Sequence, residues 1–315
     1  MTERRTHVIL NPASSAGRTG RRQAEILAAI ERHLGQEFSL FVTKRPNEAT
    51  SSARDASLRG AELIIAVGGD GTIQEVVNGL MEAGSRLNRR LQLGIINAGT
   101  GHGFAQSLGL PEGFDDQCAA IALGTVRRVD IGRAFYTNGR GQRIERYFIN
   151  ECQAGIGGRV VEKVQSGHKK LGGFLGFGLA TLTAALSYPN RSITYSVDDG
   201  PEVEGKFLGI VAANGSVMAG GMRLAPQATV VDGRLDILFM HGQTLAERLR
   251  NFPKIYSGRH LESPKFSCLR GQSLSLASEE SVSFEADGEM FGYLPCRIEV
   301  LPSALELRTG VPVTG

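Results

Sequence analysis

The stretch Glu62–Leu80, ELIIAVGGDGTIQEVVNGL, decides the fold. Its apolar run, Leu63–Val67, breaks off at Gly68-Gly69-Asp70-Gly71-Thr72. Beyond the break, Ile73, Val76, Val77 and Leu80 recur at helical spacing. The order is buried strand, glycine turn, helix. Glycines let a backbone approach a bulky anion closely, and a helix N-terminus adds partial positive charge. Asp70 brings one carboxylate to the same turn, where a metal ion is a candidate partner.

Outward from this stretch the first third of the chain repeats the pattern. His7–Leu10 is read as a strand ending at Asn11-Pro12, followed by the Ser- and Gly-rich loop Ala13–Gly20 and a helix over Arg21–Leu34. Glu37–Thr43 is a second strand, and a helix opens at Asn47-Glu48 and stops near Gly60. Leu91–Ile96 is a fourth strand, which leads into the glycine cluster Ala98–Gly103. A helix over Phe114–Leu123 and a strand over Arg127–Ile131 follow. Alternating strands and helices predict a mostly parallel sheet with helices on both faces. Ligands of such sheets collect at the C-terminal ends of the strands, and all three glycine clusters fall there.

After about Gly132 the texture becomes antiparallel. Asn138-Gly139 reads as a hairpin turn, and Asp199-Gly200 reads as another between Ile193–Val197 and Lys206–Ala213. Further strands are expected at Leu235–Phe239, Ser273–Leu276, Ser281–Glu285 and Arg297–Val300. Helices are expected only near Leu171–Leu186 and Leu245–Phe252. The expected fold class is therefore an α/β N-terminal domain, residues 1–132, and a predominantly antiparallel β-sandwich domain, residues 133–302.

Composition bounds the function. With 315 residues the chain is long enough for two domains. A net charge of +3 and the absence of Trp argue against nucleic acid as a partner, while remaining compatible with an anionic membrane surface. The four cysteines lack CxxC spacing, so a zinc site or disulfide framework is not expected, and a cytoplasmic setting is. Leu171–Tyr188 carries no charge but holds four glycines and ends at Pro189, and it is read as a buried helix rather than a span.

The phosphate loop GxxxxGK[ST], the dinucleotide fingerprint GxGxxG, the HExxH zinc motif and the GxSxG elbow are all absent. A phosphate-cradling turn with an acid remains, and phosphoryl transfer needs such a turn, Mg²⁺ and a base for the attacking hydroxyl. Asp70 and Asp130 are the candidate metal carboxylates. Phe284-Glu285-Ala286-Asp287-Gly288-Glu289 presents two acids two residues apart at a sharp turn, and Asp287 and Glu289 are the candidate bases. Each of these Asp-Gly pairs, Asp232-Gly233 included, is in isolation more often a simple turn.

Taken in order, these residues resemble the diacylglycerol kinase catalytic-domain family, especially its soluble bacterial lipid kinases. The resemblance is carried by Asn11-Pro12 with Ser14, Ser15 and Gly17, by Thr43, by Gly68–Thr72 continuing to Gly79, and by Gly99-Thr100-Gly101 with Phe104-Ala105. Asn150–Gly155, Ala213-Asn214-Gly215, Gly220-Gly221, Ala225-Pro226, Asp232-Gly233 and Asp287-Gly288-Glu289 complete it.

The resemblance implies a Rossmann-like nucleotide-binding domain of the NAD kinase and diacylglycerol kinase type, to which residues near 303–315 return. It implies ATP and a membrane lipid bound in a cleft between the two domains, with ATP held by Asn11, Thr43, Gly68, Gly69, Asp70, Gly71, Thr72, Gly99 and Thr100. Asp287 or Glu289 is the implied base. A structural Mg²⁺ is implied at Asp232, with backbone oxygens near Thr229 and Arg234. The implied setting is cytoplasmic with peripheral membrane contact, a homodimer is allowed for, and Leu171–Leu186 is implied to line the lipid pocket or face the membrane. The chain departs from the family's usual residues at Gln74, Asn97, His102 and Gly103. Two other readings stay open: a soluble-substrate kinase related to NAD kinase, and a non-catalytic nucleotide- or lipid-binding regulator.

Overall fold

A computed structural model describes residues 5–99, 103–166, 183–184 and 187–310. The chain divides into two compact units. Unit 1 comprises Met1–Asp130 with Ser303–Gly315, and unit 2 comprises Ile131–Pro302.

Unit 1 is built on the strands β1 (Thr6–Leu10), β2 (Phe38–Val42), β3 (Leu63–Gly68) and β4 (Gln92–Asn97). They lie in the order β4-β3-β1-β2, all parallel. The end of a long strand, β15 (Cys296–Arg308), adds to β4 in parallel through Glu306–Arg308. β3 is buried at every position, as its unbroken apolar run requires of a central parallel strand. One face packs Val8, Leu10, Ile65 and Val67 against Ile26, Ile30, Cys118 and Ile121 of the helices α2 (Gln23–Leu34) and α6 (Phe114–Leu123). The helices α3 (Glu48–Leu58) and α4 (Asp70–Leu87) pack on each other. A four-residue turn of helix, α1 (Arg18–Arg21), precedes α2, so the first helix begins as two pieces.

Unit 2 is antiparallel. The strand β5 (Val126–Thr137) runs from unit 1 into it and pairs β6 (Arg143–Phe148) around the Asn138 turn. β7 (Glu151–Gly155), β8 (Arg191–Val197) and β9 (Val203–Ala213) follow. β9 is paired along one edge by β7 and β8 and along the other by β10 (Leu235–His241). From Phe207 to Ala213 it is also buried on both faces. Phe207, Ile210 and Ala212 enter one core, and Leu208, Val211 and Ala213 enter a second, methionine-bearing one. At the β8–β9 turn Asp198 and Asp199 both have positive φ (50° and 54°), the backbone that a tight hairpin demands.

β11 (Phe266–Gly271) pairs β10; β12 (Ser273–Ala277), β13 (Ser283–Ala286) and β14 (Glu289–Tyr293) complete the unit.

Two elements differ from expectation. A helix, α7 (Ile156–Ser166), follows β7 directly, where no helix is expected. Gly157 and Gly158 sit inside it because Cβ atoms there would lie 2.0 Å from Gln153 and 2.5 Å from Ser283. β11 was not expected at all, since four exposed residues between two buried ends give it no alternation. The helix expected near Leu245–Phe252 is present as α8 (Leu245–Asn251), closed at its start by a capping box between Thr244 and Glu247. Most of Leu171–Leu186 lies outside the described residues. Among the described residues no helix is long and apolar enough to cross a membrane.

Candidate active site

In unit 1, three loops leave the C-terminal ends of the neighbouring strands β1, β3 and β4 and are tied together. The Asn11 amide side chain donates to Thr72 Oγ1 at 2.9 Å, and the Asn11 backbone N–H donates to Val67 O at 3.0 Å. The Ala98 N–H donates to Gly68 O at 2.8 Å, and the Gly99 N–H donates to Asn97 Oδ1 at 3.1 Å. Gly99 and Gly69 touch backbone to backbone, so that a Cβ on Gly99 would lie 2.5 Å from Gly69 Cα. A Cβ on Gly68 would likewise meet Thr72 Oγ1 at 2.4 Å. These positions need glycine for close approach, not for an unusual φ.

Thr43, 7 % exposed, directly follows β2 and is held by its N–H to Leu10 O at 2.9 Å. Asn11, Thr43, Gly68–Thr72 and Gly99 therefore share one edge of one sheet. Thr100, Gly101 and His102 lie outside the described residues.

Asp70 is the first residue of α4, and its Oδ2 accepts the Gly103 N–H at 3.2 Å. Gly103 thus meets Asp70 with its backbone. Asp130 has a different use. It is 1 % exposed, and its Oδ1 accepts the Ser303 N–H at 2.7 Å, which fixes the returning C-terminal segment of the same unit.

In unit 2, β13 and β14 are joined by the two-residue turn Asp287-Gly288, with φ of 51° and 81°. The Asp287 carboxylate accepts three consecutive backbone N–H groups: Ile149 at 2.7 Å, Asn150 at 2.9 Å and Glu151 at 3.1 Å. Glu289 begins β14 and is exposed. On β13, beside the same turn, sits Glu285. It is 1 % exposed, hydrogen-bonded to Gln153 Nε2, and its Oε2 accepts the Gly288 N–H at 2.9 Å. Burial pushes its carboxyl up to about 8, while the Gln153 and Gly288 donors pull the other way and the Asp287 and Glu289 charges add to the rise. Glu285 was not singled out from sequence.

The same turn borders a cavity inside unit 2. Its walls are Ile156, Val160, Val161, Leu208, Leu224, Phe252, Ile255 and Phe266, with Met218, Met222 and Met240. Three of the six methionines of the chain line it, and unbranched thioethers adapt to irregular apolar shapes. Polar atoms are few. Glu151, Gln153, Glu285 and Gly288 supply one group, and Gln243, Arg248 and Asn251 a second.

The two metal positions differ in fit. Asp70, an oxygen donor beside a glycine loop, suits Mg²⁺, which binds through one or two carboxylates plus phosphate oxygens. The Asp232 position does not fit a second ion. The carboxylate of Asp232 accepts the Arg234 N–H on Oδ1 at 3.0 Å and is ion-paired with Arg270 through Oδ2. Arg270 also reaches Asp236 at 3.5 Å, so a guanidinium already supplies the positive charge. Among the described residues no group of three or more His, Cys, Asp or Glu side chains is arranged to hold a metal ion.

Comparison with known proteins agrees with this arrangement. Residues 5–134 match the diacylglycerol kinase catalytic domain, and residues 150–309 match the YegS C-terminal NAD kinase beta sandwich-like domain. A diacylglycerol kinase of Bacillus subtilis (strain 168) is 32 % identical over 93 % of this chain and 92 % of its own. A crystal structure of a diacylglycerol kinase from Bacillus anthracis str. Sterne superposes with a TM-score of 0.70 at 22 % identity, covering 98 % of each chain. Yeast NADH kinase shares the fold at a TM-score of 0.52 and 13 % identity, over 97 % of this chain and 82 % of that one. An α/β unit followed by a β-sandwich unit, with an ordered series of glycine and acidic turns, makes this chain a kinase belonging to the diacylglycerol kinase catalytic-domain family.

Proposed function

We propose that the protein is an ATP- and Mg²⁺-dependent lipid kinase that transfers the γ-phosphate to the hydroxyl of diacylglycerol or a closely related lipid. The observation that carries this reading is the methionine-lined apolar cavity of unit 2, which shares Glu285 and Gly288 with the acidic turn. An apolar cavity with a few polar groups suits a molecule that is mostly hydrocarbon with one reactive polar end.

Unit 1 takes the nucleotide. The amides at the start of α4 and the glycine loops face the phosphates, Thr72 and Asn11 hold the first two loops together, and Asp70 is the ligand for the nucleotide's Mg²⁺. When bound, Mg²⁺ neutralises charge on the phosphate oxygens.

In unit 2, Glu289 is the preferred base. Asp287 has three amide donors on its oxygens and serves to hold the turn in place, whereas Glu289 is exposed at the next strand. The lipid hydroxyl oxygen attacks the γ-phosphorus, its proton passes to the Glu289 carboxylate, the bond to the β-phosphate oxygen breaks, and ADP leaves.

Transfer from γ-labelled ATP into a total lipid extract tests the proposal. Label in the organic phase, dependent on Mg²⁺, is expected. Label confined to an aqueous product would point to a soluble acceptor, and binding of ATP without transfer to any lipid would point to a regulator.

A further inference from the structure

The segment from α8 through the 3₁₀ turns Phe252–Ser257 presents one set of residues to the cavity and another to solvent. Arg248, Asn251, Phe252 and Ile255, spaced three or four apart, line the cavity. Leu245 and Leu249, one helical turn apart on α8, do not line it and are 51 % and 49 % exposed, and Tyr256 follows at 36 %. The outer leucines are flanked by Arg250 and Lys254. Glu247 is paired by Lys265 at 3.3 Å and Glu262 by Arg259 at 3.0 Å; Arg250 is exposed and the half-buried Lys254 adds its charge near Glu262, so basic groups outnumber acids along this segment. Exposed leucines with an excess of basic residues close by, on a segment that also walls the cavity, form an interfacial pattern: apolar side chains enter the acyl boundary and cations meet anionic headgroups.

We propose that Leu245, Leu249, Arg250 and Lys254 form the surface by which unit 2 docks on an anionic phospholipid bilayer. The occupant is argued from charge complementarity and from continuity with the cavity: the segment that seats on the bilayer also walls the space for the acyl chains. The proposal deepens the lipid-kinase reading and rests on it for the cavity's contents, but not for the docking itself. None of the four residues lines the cavity.

The test is co-sedimentation of the full chain with vesicles of phosphatidylcholine, alone or mixed with phosphatidylglycerol. The variants are Leu245→Glu/Leu249→Glu, the milder Leu245→Gln/Leu249→Gln, and Arg250→Glu/Lys254→Glu, each checked by thermal unfolding. Wild type is expected to prefer the anionic vesicles. The leucine pairs should weaken binding on both vesicle types, and the charge reversal should weaken it about ten-fold or more on anionic vesicles only, since each basic residue near such a surface contributes roughly five-fold. Rates on detergent-dispersed diacylglycerol should stay at the wild-type value.

Unchanged sedimentation of folded variants would overturn the proposal. So would a wild-type dimer, seen in sedimentation velocity, that the leucine variants dissociate without affecting vesicle binding, because the face would then belong to a second copy. Wild type that docks through this face but phosphorylates no lipid would uphold the surface and sink the kinase reading.

Discussion

The backbone N–H of Asn150 donates to Oδ1 of Asp287 at 2.9 Å, at the centre of a run of three amides that all end on that one carboxylate. The contact spans 137 residues and fixes the β13–β14 turn on the start of β7. It separates the two acids of the turn: Asp287 is a clamp, and Glu289, two residues on, is exposed.

Substitution should therefore affect the two acids differently. Asp287→Ala leaves three amides without their acceptor, and a loss of about 2–4 kcal/mol in stability is expected alongside lost activity. Glu289→Gln should hold its unfolding midpoint within a degree or two and lose roughly 10²-fold in turnover. Denaturant unfolding paired with turnover on the same preparations checks both. Equal loss of stability in the two variants would remove the distinction.

Glu285 gives a pH dependence of unusual sign. Its carboxyl titrates near 8 in the folded chain and lower once unfolded, because burial disfavours the ionised form. The folded state therefore binds the extra proton between the unfolded value and about 8. Stability from this group is full below that window, falls as pH rises through it, and levels off above. Glu285→Gln, which mimics the neutral acid, should flatten that fall and be the more stable protein at alkaline pH. Parallel pH profiles of midpoint for the two proteins would contradict it.

Gly99→Ala tests the tie between the glycine loops. The added Cβ meets backbone, 2.5 Å from Gly69 Cα, so relief requires the first loop of α4 to move. Overpacking of this kind costs about 1–3 kcal/mol. ATP affinity should fall by about ten-fold or more, which titration calorimetry reads directly. Undiminished affinity would place the phosphates elsewhere.

Because Arg270 neutralises Asp232 and Asp236, chelation of divalent ions should leave the unfolding midpoint of the nucleotide-free protein unchanged. Arg270→Met should lower it, as a partly buried acid pair loses its cation. A fall of several degrees on adding EDTA to the wild type would instead put a structural ion at this turn.

How much of this was legible in sequence differs from element to element. β3 and α4 were readable because an unbroken apolar run, a glycine turn and a helical stripe follow one another within one short stretch. β9 was readable because burial on both faces leaves an apolar run. α7 was hidden by Gly157 and Gly158, which lower helix propensity and are required there because Gln153 and Ser283 leave no room for a Cβ, a matter of tertiary neighbours. Glu285 was hidden for the same reason. Nothing local marks it as buried; the burial comes from pairing with β7, whose Gln153 lies 132 residues away. The Asp232 turn looked open to a cation until Arg270, on a strand without periodicity, was placed beside it.

The measurement closest to the central claim is the product formed from γ-labelled ATP, Mg²⁺ and purified diacylglycerol, identified by mass for wild type and Glu289→Gln side by side. A phosphorylated diacylglycerol from wild type, with roughly 10²-fold less from the variant at unchanged stability, is the predicted result. No phosphorylated lipid from folded, ATP-binding wild type would contradict the account, and full-rate transfer by Glu289→Gln would remove the assigned base.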